Sequence, residues 1–208
     1  ALGAHPRFEL LGESLSLRSG TKTLGELDFV YRDRETGKAY HLEVAVKFYL
    51  GYPPQAPVHW LGPNPHDQLL KKLDRMETHQ GPLLKREVAA PLRQKLGIDV
   101  HEEALLVKGR LFLPEGKKGQ MPASVAADGL RGNWVYARKA NPVLGESPWL
   151  PLPKSHWLAP LSAMDVAELQ KKSVPFFPGK TPVCRPLQLW QDGRYVFVLP
   201  DTWPGKGF

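Results

Sequence analysis

The apolar positions of the chain alternate first and cycle later. Over residues 8–18, Leu11, Leu15 and Leu17 mark a strand that ends at the turn-prone pair Ser19 and Gly20. A second strand is predicted over about 24–31 and a third over about 39–50. The polar, glycine-bearing stretch 33–38 between them reads as a hairpin loop. Pro53, Pro54 and Pro57 then break regular structure, and Asn64-Pro65 supplies a cap followed by proline, which predicts a helix over about 65–80. Leu69, Leu70, Leu73 and Met76 form its apolar stripe, while Gln68, Lys72, Arg75 and His79 form a polar one at helical spacing.

A second helix is predicted over 83–96, closed by Gly97 and interrupted by Pro91. Residues 104–113 read as a strand buried on both faces, and 115–133, rich in glycine, lysine and alanine without periodicity, as a mobile loop. The remainder is rich in proline and tryptophan. It carries one helix over 163–172, capped by Ser162 and Asp165, and a closing hairpin of 187–190 with 195–199 through Asp192-Gly193. The expectation is an α/β protein with a core at 1–114, a loop at 115–133 and a Pro/Trp-rich extension at 134–208 packing on that core.

Composition changes this picture in three respects. With 208 residues and 42% apolar content the chain can bury a core without staples, and its one cysteine, Cys184, excludes an internal disulfide. Cys184 is expected as a small core residue in a reducing cytoplasm. No apolar run approaches the roughly 20 residues of a membrane span, and the start lacks the layout of a signal peptide. The chain opens at Ala1 and enters strand-like sequence almost at once, so natural sequence ahead of it is expected. The formal charge of +7 favours a polyanionic partner, because Lys and Arg release the counterions of phosphates.

The candidate chemistry lies on the second and third strands. Side chains alternate across a strand, so Leu27, Phe29 and Tyr31 share one face and Glu26 and Asp28 the other. Likewise Leu42, Val44, Val46 and Phe48 oppose His41, Glu43, Ala45 and Lys47, and the apolar side is read as the core side. If the strands pair through the 33–38 loop, positions summing to 71 lie opposite each other and Asp28 faces Glu43. Two facing carboxylates repel unless a cation sits between them, and a hard divalent ion, Mg²⁺ or Mn²⁺, answers that need. Lys47, on the same face, is placed to orient a water or to stabilise developing charge. The bland alternative is a solvated face with a cross-strand ion pair.

Gly25-Glu26-Leu27-Asp28, then Glu43 and Lys47, then a helix opening with Gln68 resemble the PD-(D/E)XK phosphodiesterase superfamily. The stretches 24–29, 42–51 and 60–64 are more closely similar to a bacterial family, domain of unknown function number 1853, assigned to that superfamily. The likeness runs more weakly through Gly109-Arg110-Leu111-Phe112 and the tryptophan-rich tail. It implies a restriction-endonuclease-like mixed β-sheet flanked by helices, and nuclease activity with Asp28 and Glu43 as Mg²⁺ or Mn²⁺ ligands. It further implies Lys47 as the catalytic lysine and Gln68 as an accessory residue. The usual lysine position, two after the glutamate, is Ala45, and Lys47 lies about 6–7 Å further along the strand. A further acid from an amino-terminal helical segment is expected in such a family, with Glu13 or Glu26 as substitutes.

Lys71, Lys72, Arg75 and His79 are candidates for a phosphate path, as are Lys108 and Arg110 on one strand face. The six tryptophans, Trp60, Trp134, Trp149, Trp157, Trp190 and Trp203, are expected in packing rather than in base stacking. No phosphate-cradling glycine loop, zinc-protease helix or serine-hydrolase turn occurs in the sequence. The expected function is a metal-dependent nuclease acting on nucleic acid, DNA before RNA. The alternatives are a catalytically silent binding module on the same fold and a protein-interaction scaffold.

Overall fold

The computed structural model describes residues 5–53, 58–98, 101–117, 121–126 and 128–205. Among these, nine strands of mixed orientation and four α-helices make a mixed α/β protein. They divide into two compact units, Ala1–Ala45 with Leu70–Lys108, and Val46–Leu69 with Gly109–Phe208. The division differs from the expected boundary at 114, and the extension at 134–208 belongs to the second unit.

The first unit is built on β1 (Phe8–Ser19), β2 (Lys22–Asp33) and the opening half of β3 (Ala39–Tyr52), all antiparallel. The expected hairpin register holds: Phe29 pairs with Leu42, Val30 with His41, Tyr31 with Tyr40 and Arg32 with Ala39. Tyr31 and Tyr40 stack at 5.1 Å, a cross-strand pair of the kind that fixes register. Leu17, Leu27, Val30, Ala39, Leu83, Leu84, Ala89 and Ile98 form its core.

The expected core faces are overturned here. On β3 it is Ala39, His41, Glu43 and Ala45 that are buried, whereas Leu42 and Val44 are half-exposed and Val46 is 48% exposed. On β2, Leu27 and Val30 are fully buried and Phe29 and Tyr31 are not. Alternation tells two faces apart but not which one the following helical turns cover.

The predicted helix over 65–80 is shorter. Gly62 N–H donates to Asp67 O at 2.7 Å and Gln68 bridges to Leu61, so this backbone is engaged before a helix can start. Helix α1 spans Leu69–Arg75 and loosens into a π-turn, Met76–Gln80. The helix predicted over 83–96 is replaced by tight turns at Gly81–Lys85 and Glu87–Ala89 and by α2, Ala90–Lys95. Extended Arg86 (ψ 147°) breaks it, and Pro91 opens α2, where its missing N–H is harmless. β5 (His101–Pro114) is not buried throughout: Leu105, Leu106 and Val107 are exposed, and burial begins at Arg110.

The second unit contains the closing half of β3, paired with β4 (His59–Leu61), and the series β5, β6 (Leu130–Tyr136), β9 (Arg194–Leu199), β8 (Leu187–Gln191), β7 (Leu150–Pro151). The β5–β6 and β6–β9 pairs are parallel and the others antiparallel. Phe48, Leu50, Leu61, Phe112, Trp134, Phe197 and Trp203 pack on one side with Leu169 of α4 (Ala163–Lys172). Val135, Trp149, Phe176, Leu189, Val196 and Val198 pack with α3 (Ala137–Leu144). Trp60, Trp134, Trp149 and Trp203 are buried, and Trp157 and Trp190 are half-buried.

The predicted capping pair closes reciprocally: Asp165 N–H donates to Ser162 Oγ at 3.1 Å and Ser162 N–H to Asp165 Oδ2 at 2.8 Å. Asp192 and Gly193, both at positive φ, make the tight turn between β8 and β9. Two expectations fall here. Cys184 is exposed, in an irregular stretch before β8. Residues 130–133 of the predicted loop belong to β6; positions 118–120 and 127 of that loop, like Pro54 and Pro57, lie outside the described residues.

Candidate functional site

Within the first unit the acids are held by the backbone and by helical turns. The β2–β3 ladder ends at Phe29–Leu42, one pair short of Asp28 and Glu43. There Asp28 is half-buried and its Oδ2 accepts from Val44 N–H at 2.8 Å. Glu43 is only 1% exposed. Its Oε1 lies 2.9 Å from His41 Nε2, and its Oε2 accepts from Gln80 Nε2 at 3.0 Å. His41 is fully buried, with Nδ1 2.9 Å from Gly81 O, and Gln80 Oε1 accepts from Lys72 Nζ at 2.8 Å.

Donor logic orients this chain. A carbonyl only accepts, so His41 Nδ1 carries a proton toward Gly81. An ammonium only donates, so the Gln80 carbonyl faces Lys72 and its amide N–H faces Glu43. Both Glu43 oxygens are thereby engaged, and one proton lies between Oε1 and His41 Nε2. Gly81 permits the approach: a Cβ there would fall 3.1 Å from Met76 O and 3.3 Å from Glu103 Oε2.

A hydrated divalent ion does not fit Glu43 as it stands. Its carboxylate is sealed from solvent and both oxygens already have partners, and no group of three or more His, Cys, Asp or Glu is arranged for a metal among the described residues. The polar network satisfies a buried carboxylate internally, which is the condition for burying one at all.

The other predicted residues are placed as follows. Glu26, Lys71, Arg75 and Lys108 are exposed, and Lys72 is half-buried. Lys47 belongs to the second unit, where its ammonium lies 2.6 Å from Asp67 Oδ2 and Tyr49 donates its hydroxyl to Asp67 Oδ1 at 3.2 Å. Burial first, and the Asp67 charge second, push the Tyr49 phenol above its ordinary range. Gln68 is also in the second unit, its backbone bridged to Leu61. The glutamine that reaches Glu43 is Gln80.

Arg110, expected beside Lys108 on a phosphate path, is 6% exposed. Its guanidinium lies 3.7 Å over the Tyr195 ring and donates to Arg131 O at 2.9 Å, while its Nε has no hydrogen-bond partner among the described residues. Desolvation lowers its pKa.

His41, Gln80 and Asp67 were not singled out by sequence. His41 shares Glu43's strand parity, a signal within reach; Gln80 lies 37 residues from Glu43 and gives none.

No curated protein and no solved structure matches the chain. A family model described as a domain of unknown function (DUF1853) matches residues 1–175, and the chain belongs to that family.

Proposed function

We propose that this chain is a nucleic-acid-binding module of the PD-(D/E)XK, restriction-endonuclease-like type without phosphodiesterase turnover. The observation that carries the loss of turnover is Glu43, sealed at 1% exposure with both oxygens hydrogen-bonded by His41 and Gln80. Ala45 stands where the superfamily's lysine is usual, and Lys47 is ion-paired with Asp67. The sequence resemblance and the +7 charge support a polyanionic partner.

A metal-dependent phosphodiesterase using Mg²⁺ or Mn²⁺ is the second reading. It is favoured by a register that, continued one step past the last ladder pair, Phe29–Leu42, would set Asp28 opposite Glu43.

One assay tests both. The full chain is mixed with labelled single-stranded, duplex and branched DNA over a salt series, with Mg²⁺, Mn²⁺ or EDTA, beside Asp28→Ala. Salt-dependent retention without cutting is expected. Cutting that needs both metal and Asp28 would install the second reading, and the absence of salt-dependent binding would overturn the first.

A further inference from the structure

The two units share the basic residues evenly but not the acidic ones. Each holds 14 of the 28 Lys and Arg, yet only 8 of the 21 Asp and Glu fall in the second unit, which leaves it at +6 and the first at +1. Local pairing sharpens the contrast. Lys71 and Arg75 on α1 are interleaved with exposed Asp74 and Glu77, and Lys72 bonds to Gln80. In the second unit Lys47, Arg138, Lys172 and Arg194 have acidic partners. Lys117, Lys139, Lys154, Lys171, Lys180 and Arg185 are exposed and make no ion pair among the described residues.

Two of these, Lys180 and Arg185, share one segment. A Cβ at Gly179 would fall 2.9 Å from Asn141 Cβ, so the turn carrying Lys180 packs on α3 at Asn141. The turn closes through Lys180 N–H and Thr181 N–H, both donating to Phe177 O, and Phe177 is 39% exposed. Arg185 follows on the same segment, before β8. An exposed aromatic ring among unpaired cations matches the two demands of an unpaired strand, phosphate neutralisation and base stacking.

Resting on the nucleic-acid reading above, we propose that the second unit, through Phe177, Lys180 and Arg185, is the surface that binds single-stranded nucleic acid. The α1 face of the first unit is not that surface.

The full chain, Lys180→Ala/Arg185→Ala, Lys71→Ala/Arg75→Ala and Phe177→Ala are titrated across a salt series. The probe is a labelled oligothymidylate, alone and as a duplex, and circular dichroism checks each fold. The Lys180/Arg185 variant is expected to shrink the slope of log affinity against log salt by about 1.4, at roughly 0.7 per lost phosphate contact. The α1 variant should leave it unchanged. Phe177→Ala should weaken single-strand binding by about fivefold or more and leave duplex binding alone. A slope lost in the α1 variant and kept in the Lys180/Arg185 variant, or a wild-type preference for duplex, would overturn this surface while leaving the nucleic-acid reading intact. A wild type that binds neither strand nor duplex would overturn the reading itself.

Discussion

Gln80 donates to Glu43 Oε2 at 3.0 Å from a helical turn 37 residues further along the chain, and in doing so closes a line of hydrogen bonds from Lys72 to Gly81 O. A buried carboxylate tolerates no missing partner, and the network therefore yields sharp expectations.

His41→Ala removes the partner of Glu43 Oε1 and leaves a sealed carboxylate with one donor. Breaking a buried pair in this way costs about 3–5 kcal/mol. Gln80→Ala should cost less, about 1–3 kcal/mol, because it strips one hydrogen bond. Urea midpoints at constant m would measure both, and an unchanged midpoint in His41→Ala would refute the network's role.

Arg7 grips Asp33 with two contacts, Nε to Oδ1 at 3.1 Å and Nη2 to Oδ2 at 2.6 Å. The Arg7 hydrogen bond, more than any other influence, holds the Asp33 carboxyl below the usual carboxylate range, with help from the Glu35 N–H. A depressed folded pKa means stability that is present above the unfolded value of about 3.9 and lost as the pH falls through the folded one. Arg7→Gln should shrink that acid-side loss, which a comparison of unfolding free energies at pH 5 and pH 2 would detect.

The Tyr49 phenol is raised, so its neutral form is the one the fold prefers. That contribution is intact below the ordinary tyrosine value of about 10 and is lost as the pH climbs above it. Asp67→Asn removes the second cause of the shift and should bring the slowest-titrating phenol in the ultraviolet titration to lower pH. No movement would separate Tyr49 from Asp67.

Arg110 keeps a buried cation whose Nε has no hydrogen-bond partner among the described residues, an arrangement that an apolar side chain of like length replaces at little cost. Arg110→Met should unfold within about 1 kcal/mol of the wild type or above it, and should bind nucleic acid as the wild type does. A marked loss of binding would return Arg110 to the interface.

What was legible in the sequence was local. The β2–β3 register followed from one loop, the α4 capping box from residues three apart, and the β8–β9 turn from Asp192-Gly193. The covered face of β3 was not legible, because Leu42 and Val44 look like a core stripe and only the turns around Gly81 decide otherwise. The start of α1 was misplaced because Asp67 and Gln68 are taken up by Gly62 and Leu61, a competition that helix-cap rules do not register. Within the candidate site, Asp28 and Glu43 could be singled out from strand parity alone, whereas Gln80 is brought to Glu43 by tertiary folding.

Two strands, β3 and β5, pass from one unit into the other, and each unit is therefore assembled from separate stretches of chain. No single cut divides the protein into its units. A fragment ending at residue 108 carries 46–69 without the rest of the second unit, and one beginning at 46 carries 70–108 without the strands that complete the first. Truncation experiments on this chain therefore report on stranded pieces, and point substitutions are the cleaner way to assign work to either half.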